Sequence, residues 1–359
     1  MQIKQSIFLN YPEKRIDCSL PLRGPERDFM ATNRKQAVAI LNQQCQKYFG
    51  DSEVRDSTNK AFAKLMDRGF IRLWSDLTDE EKAEFEDKEV QYTIPWRVVW
   101  KDSATTPVRP VLDASTNSPK RPDGSGGFSL NNAVCHGKVD TLDLLGVLLR
   151  FVLLGHAVAA DITKMYNMFN LLAKYWNLQR IVMKKDLDPS GEVIEGVITT
   201  LIYGVSSVSC QTEEAIVQIA ANCREDDPEA AACMEEGRYV DNIIGSFASK
   251  EDALRVTDRV GKIFEALNLK TRGWSHSGEK PVEEESLDGV SLEFMGIRWF
   301  PLPSDTIQLK ILRLHFGRKV RGRLDPKTIF FEGDFGEMSS FVPDPITRRQ
   351  IVSKRASKF

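Results

Sequence analysis

Arg238-Tyr239-Val240-Asp241-Asn242-Ile243-Ile244 is the stretch that decides the fold of this chain. Its Tyr-x-Asp step lies between strand-forming residues and is followed by Gly245-Ser246. This pattern predicts a hairpin with an acid at its tip. A buried carboxylate without a partner is costly, so the acid must be exposed or hold a cation. Because Tyr-x-Asp also occurs by chance in many chains, its meaning depends on partners elsewhere in the sequence.

A second acid is a candidate partner for the first. Asp161 ends the apolar run 156–162, which has the composition of a strand. Two carboxylates on neighbouring strands repel each other, and divalent cations relieve that repulsion. We therefore predict that Asp161 and Asp241 hold Mg²⁺ (or Mn²⁺), as in two-metal phosphoryl transfer. Taken singly, each Asp is also explained as a surface turn residue.

The composition excludes wholesale disorder and gives a local charge signal. The chain has 359 residues, of which 42% are hydrophobic and 28% charged, enough for two or three subdomains around a large core. Its formal net charge is −2, yet residues 310–359 carry 12 Lys and Arg against 5 Asp and Glu. A basic tail on an acidic body suits contact with a polyanion, although scattered surface lysines would produce the same count.

Several classes of protein are disfavoured by absent patterns. The six cysteines form no CxxC pair and show no zinc-ligand spacing with the four histidines, as expected in a reducing compartment. The longest apolar region, 142–160, is interrupted by charged residues, so we predict no membrane span and a cytoplasmic location. Neither GxGxxG nor GxxxxGK[ST] occurs, which disfavours nucleotide-binding folds built on those loops.

Apolar spacing predicts mixed helices and strands. Helices are expected at 32–49, 57–68, from Thr78, and at 141–153, 164–180, 207–223 and 250–267. Strands are expected at 90–99, 108–112, 156–162, 181–184 and 193–199. Turn-forming residues predict a loop at 116–127.

Two ordered motifs make a family resemblance specific. Val158-Ala159-Ala160-Asp161-Ile162-Thr163-Lys164-Met165-Tyr166 resembles the first catalytic motif of reverse transcriptases, and Tyr239-Val240-Asp241-Asn242 resembles their Tyr-x-Asp-Asp box. The polymerase region of BEL/Pao long-terminal-repeat retrotransposons is the most similar group, over about residues 17–359. Further matches are Arg109-Pro110-Val111-Leu112-Asp113-Ala114-Ser115, Ser129-Leu130-Asn131-Asn132, Leu178-Gln179-Arg180, Tyr203-Gly204-Val205-Ser206-Ser207 and Ile346-Thr347-Arg348-Arg349-Gln350-Ile351.

The resemblance implies an α+β fold of the right-hand polymerase type. Fingers and palm would be present, with an antiparallel palm sheet packed on helices and a partial thumb or connection at the C-terminus. The expected regions are an extended lead-in (1–28), a fingers-like region with N-terminal helices (29–155), a palm with catalytic motifs and primer grip (156–300), and a basic, truncated thumb or connection segment (301–359).

The resemblance also implies roles for residues that would contact the nucleotide. Arg109 would grip the incoming triphosphate, for which a planar guanidinium is well suited, and Lys101 would be a second phosphate contact. Tyr166 would be the aromatic gate under the incoming sugar that excludes a 2′-hydroxyl. Tyr203 and Gly204 would form the turn next to the nucleotide and template base. The alternatives are a core tyrosine for Tyr166 and a surface lysine for Lys101.

Two further roles follow from position in the family pattern. Lys270 falls where the family often has a lysine near the leaving phosphate. Phe294, Met295 and Gly296 resemble the hairpin that holds the primer terminus, for which a simple hydrophobic β-turn is the alternative. The basic tail would then contact the duplex backbone in a salt-dependent way.

Two positions depart from the family pattern. Asn242 stands where the family has the second Asp of its box, and Ser209 stands where it usually has proline. The leading hypothesis is therefore an RNA-directed DNA polymerase in which Asp161, Asp241 and Asn242 are the catalytic set. It would transfer dNTPs to a primer 3′-hydroxyl on an RNA or DNA template. The alternative is a degenerate retroelement relic that binds nucleic acid or a partner without polymerising.

Overall fold

Helices and short strands alternate along most of the chain. The structure, a computed structural model, describes residues 2–85, 88–100, 108–137, 143–281, 292–294, 297–301 and 308–311. Its helices are α1 (Glu26–Phe29), α2 (Arg34–Tyr48), α3 (Ser52–Met66), α4 (Asp79–Ala83), α5 (Leu130–Ala133), α6 (Leu144–Leu153), α7 (Val208–Cys223), α8 (Pro228–Gly237) and α9 (Lys250–Glu265). Within the described ranges, no helix combines the length and the apolar character needed to cross a membrane.

The strands form five small sheets in the described ranges. They are β1 (Ile7–Asn10), β2 (Arg15–Cys18), β3 (Ile71–Leu73), β4 (Trp96–Trp100), β5 (Val108–Leu112), β6 (His156–Asp161), β7 (Phe169–Leu171), β8 (Arg180–Lys184), β9 (Val193–Ile198), β10 (Arg238–Tyr239), β11 (Asn242–Phe247), β12 (Ser275–His276), β13 (Leu292–Phe294), β14 (Ile297–Phe300) and β15 (Gln308–Ile311). The combination of helices with mainly antiparallel strands agrees with the α+β class.

The sheet that carries the predicted acids has four antiparallel strands in the order β10-β11-β6-β12. β11 pairs with β6 so that Asn242 lies opposite Asp161 and Phe247 lies opposite His156. β10 and β11 form a hairpin in which Tyr239 lies opposite Asn242. The hairpin predicted at 238–244 and the strand predicted at 156–162 are thus confirmed, and they are neighbours.

Both faces of this central sheet are covered, because neighbouring residues of a strand point to opposite sides. Ile244 faces a smaller apolar cluster and Ile243 faces the larger core, to which Phe264 of α9 also belongs. The burial explains why β6 is a continuous apolar run rather than an alternating one. The smaller cluster consists of Val147, Phe151, Ala157, Ala159, Ile244, Leu292 and Trp299.

α8 ends against the central sheet at Gly237. A Cβ at this position would collide with the main-chain oxygen of Ile244, so a larger residue does not fit without a backbone shift. Side chains of α8 such as Met234 are fully buried in the larger core. The close approach places the start of β10, and with it the turn that bears Asp241.

The region predicted as an extended lead-in contains the hairpin β1–β2. β2 pairs in parallel with β7, and Ile16 and Cys18 of β2 are completely buried. Likewise β3, which lies in the predicted fingers-like range, pairs with β9 from the predicted palm range. Pairings therefore cross two of the predicted boundaries, and those boundaries remain predictions.

The hairpin β4–β5 is held to the body through Gln44 of α2. The Gln44 side chain accepts a hydrogen bond from the Val98 main chain at 2.8 Å and donates one to the Trp96 carbonyl. Trp96 is buried between Phe49 and Phe62, with ring centroids 6.0 and 4.7 Å away. The base of the hairpin is thereby anchored in the aromatic core.

Two local predictions were wrong, and one helix was missed. Residues 164–180 form two 3-10 turns separated by β7 rather than one helix. The aromatic residues of this segment are spaced as on one face of a helix. In the structure they are buried by different neighbours, so their spacing reflects tertiary packing and not a helix. Residues 90–95 precede β4 without belonging to a strand, and helix α8 was not expected at all.

Candidate active site

Asp161 and Asp241 meet where the neighbouring strands β6 and β11 of the central sheet end and begin. Asp161 is the last residue of β6, and Asp241 lies in the turn between β10 and β11. The Ile162 main-chain N–H donates to the Asp241 carbonyl at 2.7 Å, which extends the β6–β11 ladder by one bond. Two acids that are far apart in the sequence are thus placed side by side by strand register.

Burial raises the pKa of both carboxyl groups. Burial raises the pKa of Asp161 to about 6, the neighbouring Asp241 acts in the same direction, and Arg272 opposes both. Burial also raises the pKa of Asp241, against a main-chain hydrogen bond and Arg272. Partly buried acids with raised pKa values in close proximity are typical of functional sites, although structural networks also produce them.

The shifted pKa predicts a pH dependence of stability. Asp161 titrates near pH 6 in the folded chain and near pH 4 in the unfolded chain, so the folded state binds the proton more tightly. The stabilisation from protonation is present below pH 4 and is lost as the pH rises through 6. We expect Asp161→Asn to match the native chain in free energy of unfolding at pH 4 and to exceed it by on the order of 2 kcal/mol at pH 7.

Urea denaturation of both proteins at several pH values measures this difference. Asp258→Asn is the control, because Asp258 is an exposed acid on α9 that pairs with Lys262 at 2.6 Å. Its difference from the native chain should stay small across the range. A pH-independent difference between the native chain and Asp161→Asn would contradict the buried environment of this carboxyl.

Arg272 is a residue of the candidate site that the sequence analysis missed. Its Nε lies 3.2 Å from Oδ1 of Asp161, and its main-chain N–H donates to the Asp161 carbonyl at 3.0 Å. A β-bridge between Ile162 and Thr271 sets this register. No local pattern distinguishes Arg272 from Lys270, two residues earlier, so the pairing follows only from the tertiary structure.

The turn that carries Asp241 has an unusual backbone. Val240 adopts φ 55°, a conformation that a β-branched residue rarely takes. Such strain costs about 1–3 kcal/mol and is concentrated at functional sites. Asn242 donates a side-chain hydrogen bond from Nδ2 to Oδ1 of Asp241 at 3.1 Å. Asn242 therefore orients the Asp241 carboxylate but adds no negative charge.

The residues present offer oxygen ligands for one hard cation. Asp161 and Asp241 supply two carboxylates, the donor type that Mg²⁺ prefers together with water and substrate phosphates. Among the described residues, no group of three or more His, Cys, Asp and Glu side chains could hold a metal ion.

Two tyrosines lie beside the acids. The rings of Tyr166 and Tyr203 are 4.3 Å apart between centroids, and Tyr203 is 58% exposed whereas Tyr166 is 6% exposed. Burial raises the pKa of Tyr203 to about 12, and Asp241 is the next largest cause. Tyr203 is therefore the accessible ring, and Tyr166 lies beneath it with only a small exposed edge.

Ser209, one of the departures from the family pattern, contacts Tyr166. Its Oγ lies 3.0 Å from the Tyr166 hydroxyl, at the start of α7. A proline at this position would remove that hydrogen bond. The serine thus helps to fix the tyrosine that the family pattern assigns as the sugar gate.

Gly204 is where the β4–β5 hairpin approaches the site. It adopts φ +102°, and an added Cβ would lie 2.6 Å from the main-chain oxygen of Leu112 at the end of β5. Asn131 supports the turn, since its Nδ2 donates to the Gly204 carbonyl at 2.8 Å and its Oδ1 accepts from the Ser206 main chain at 2.9 Å. The turn 203–206 is thus held from two sides.

Gly204→Ala is expected to lower the free energy of unfolding by about 2–4 kcal/mol, because the new Cβ adds both backbone strain and a steric clash. Urea denaturation at pH 7 measures the loss. Gly261→Ala is the matched control: Gly261 is inside α9 with nothing within 4 Å of an added Cβ. There the substitution should stabilise the chain by about 0.5–1 kcal/mol. Equal effects at the two positions would contradict the close approach at Gly204.

The predicted phosphate contacts are only partly described. Arg109 is an exposed residue of β5 opposite Val99, on the hairpin whose end meets Gly204. Lys101 lies outside the described residues. Asp113, which follows β5, accepts hydrogen bonds from the Ser115 main chain at 3.0 Å and the Thr116 hydroxyl at 2.9 Å. Its carboxylate thus caps a turn, and the roles of Arg109 and Lys101 remain predictions.

Lys270 lies at the margin of the acid pair. Its carbonyl accepts from the Thr163 main chain at 2.8 Å, while its side chain is exposed. Phe294 ends β13 opposite Ile297 of β14, so a hairpin exists where the primer grip is predicted. Met295 and Gly296, which would form its tip, lie outside the described residues.

A second cation missed by the sequence analysis is Lys164. It lies inside the first of the two motifs, three residues after Asp161, and adopts φ 49°. Burial lowers the pKa of Lys164, with further lowering by Arg68, Lys64 and Arg272. Repulsion from these groups shows that positive charge collects around Lys164, and one of them, Arg272, also pairs with Asp161.

Solved structures that are similar to this chain, at low scores, include two foamy virus proteins. One is the crystal structure of a prototype foamy virus protease–reverse transcriptase mutant, with 13% identity, TM-score 0.43, and coverage of 62% of this chain and 24% of that chain. The other is a foamy viral protease–reverse transcriptase in complex with double-stranded DNA, with 14% identity, TM-score 0.45, and coverage of 67% and 34%. The chain therefore spans about a quarter to a third of these proteins. No protein-family model and no curated protein matches it.

Proposed function

We propose that this chain is the polymerase region of a reverse transcriptase, of the BEL/Pao type that its motifs resemble. It would extend a primer with deoxynucleotides on an RNA or DNA template. The observation that carries the proposal is the side-by-side placement of Asp161 and Asp241, through strand register and the Ile162–Asp241 hydrogen bond at 2.7 Å. That placement is the arrangement which the two motifs require if they form one catalytic centre.

The acid pair supports nucleotidyl transfer. Mg²⁺ held by Asp161 and Asp241 would lower the pKa of the primer 3′-hydroxyl and neutralise charge on the transferred phosphate. The Asp161 carboxylate is mainly ionised at neutral pH, since its raised pKa is about 6. Below that pH, protons would compete with the cation and the rate should fall.

The surrounding residues support a nucleotide site beside the acids. Tyr203 offers an exposed ring for stacking, and Tyr166 is held beneath it by Ser209. Gly204 and Asn131 keep the main chain of the turn in place beside β5. Positive charge at Lys164 would attract the triphosphate. Together these groups would orient a nucleotide so that its reacting phosphate meets the primer end.

A degenerate relic that binds nucleic acid without polymerising is the second candidate. Asn242 and Arg272 favour it, because one removes a negative charge from the acid pair and the other adds a positive charge beside Asp161. A relic would retain salt-dependent duplex binding through the basic residues 310–359, most of which lie outside the described ranges. It would show no synthesis.

Primer extension separates the two candidates. The native chain is incubated with a labelled primer on RNA and on DNA templates, dNTPs, and Mg²⁺ or Mn²⁺. The proposed function predicts products extended by templated nucleotides that disappear with chelator. Duplex binding without extension, for the native chain and for Asn242→Asp alike, would contradict polymerase activity and favour the relic.

A further inference from the structure

Arg272 is tied to Asp161 by both main chain and side chain. The bridge between Ile162 and Thr271 and the bond from the Arg272 N–H to the Asp161 carbonyl at 3.0 Å set its Cα beside the acid. From there its Nε reaches Oδ1 of Asp161 at 3.2 Å. The pairing is therefore fixed by the main chain and is not a chance contact of one long, exposed side chain.

The atom that Arg272 contacts is the sheltered oxygen of the carboxylate. Oδ1 of Asp161 is buried, whereas the Arg272 side chain is 41% exposed. Ion pairs as exposed as this contribute little to stability and are screened by salt. The main effect of this ion pair is therefore to offset the charge of Asp161 and not to stabilise the fold.

The charges of the site make this offset important. Asp161 and Asp241 carry two negative charges, and Asn242 carries none. The positive charge of Arg272 halves the net negative charge that is left to attract a cation. A divalent ion that uses the sheltered Oδ1 would meet the guanidinium in the same place. Since the arginine side chain is partly in solvent, it can move away without disturbing the core.

We propose that Arg272 is a resident counter-ion of the Asp161–Asp241 pair, which occupies the Asp161 carboxylate until a divalent ion displaces it and thereby sets the ion affinity of the site. The inference rests on the proposed function, since it concerns the same acids. It explains how a folded chain holds two neighbouring buried acids when no metal is bound. It also means that the divalent ion replaces Arg272 at the Asp161 carboxylate in one exchange.

Mn²⁺ binding to the full chain tests the exchange, with free Mn²⁺ measured by electron paramagnetic resonance. Arg272→Gln is expected to bind Mn²⁺ about tenfold more tightly, because a positive charge close to the ion is removed. Arg272→Lys keeps the charge and should stay within about threefold of the native chain. The matched control is Arg259→Gln, since Arg259 pairs with Asp227 at 3.3 Å with a similar exposure of 46%, away from the site. It should not alter the affinity.

The outcomes separate this inference from the proposed function. Asp161→Asn locates the ion, since it should lose Mn²⁺ binding. If Asp161→Asn loses binding but Arg272→Gln binds no more tightly than the native chain, the counter-ion role is wrong and the metal site stands. If Arg259→Gln also binds Mn²⁺ more tightly, the effect comes from the net charge of the chain, and the counter-ion role is wrong as well. If no binding depends on Asp161, both the inference and the proposed function are overturned. Thermal unfolding in chelator confirms that each variant is folded.

Discussion

Asp161→Asn is expected to abolish primer extension, lowering the rate by at least about a thousandfold, which corresponds to about 4 kcal/mol of barrier. The substitution keeps the size of the side chain and removes the charge that would hold the cation. The main-chain bonds at this position remain, including the one from the Arg272 N–H to the Asp161 carbonyl at 3.0 Å. Single-turnover extension of a labelled primer with saturating dNTP measures the loss.

The loss can be separated from unfolding. At pH 7 the variant should be more stable than the native chain, because a carboxylate whose pKa is raised to about 6 is destabilising when ionised. An inactive but more stable protein therefore points to chemistry. Asp258→Asn removes an acid that is 61% exposed and should keep the native rate. Extension by Asp161→Asn within about threefold of native would rule out a catalytic role for this acid.

The elements that bear the acids were predictable because their signals are local. Val158 to Ala160 form an apolar run that ends in acid, and Tyr239 and Ile243 are strand formers on either side of a turn. Such patterns depend on neighbours in the sequence, and β6, β10 and β11 lie where they indicated. The juxtaposition of the two acids was predicted from the chemistry of paired carboxylates and from the family resemblance, and the register Asn242–Asp161 agrees with it.

The rest of the site was not predictable because it depends on contacts between distant segments. Arg272 and Lys270 are equivalent by sequence, and only the Ile162–Thr271 bridge decides which of them reaches the acid. The Ser209 hydroxyl meets Tyr166 only after α7 is placed. Residues 164–180 show the same limit in the fold, since β7 exists through its partner β2 rather than through a local pattern.

These contacts change the meaning of the substitution at position 242. In the sequence, Asn242 is a missing carboxylate. In the structure it lies opposite Asp161 and donates to Asp241, while Arg272 supplies the charge balance from the other side. With asparagine and arginine at these positions, the two acids have less negative charge around them than a third carboxylate would bring, and that third charge would add repulsion which a cation relieves.

Asn242→Asp is therefore expected to raise the rate of primer extension by on the order of ten- to a hundredfold, since one more charge would hold the cation and offset the developing phosphate charge. The same change should lower the free energy of unfolding in chelator by about 1–2 kcal/mol, through repulsion from Asp161 and Asp241, and Mg²⁺ should restore it. Asn222→Asp alters net charge equally at an exposed position of α7 and should change neither property. If the native chain does extend the primer, at a rate within about threefold of Asn242→Asp, position 242 does not limit catalysis and the relic hypothesis fails.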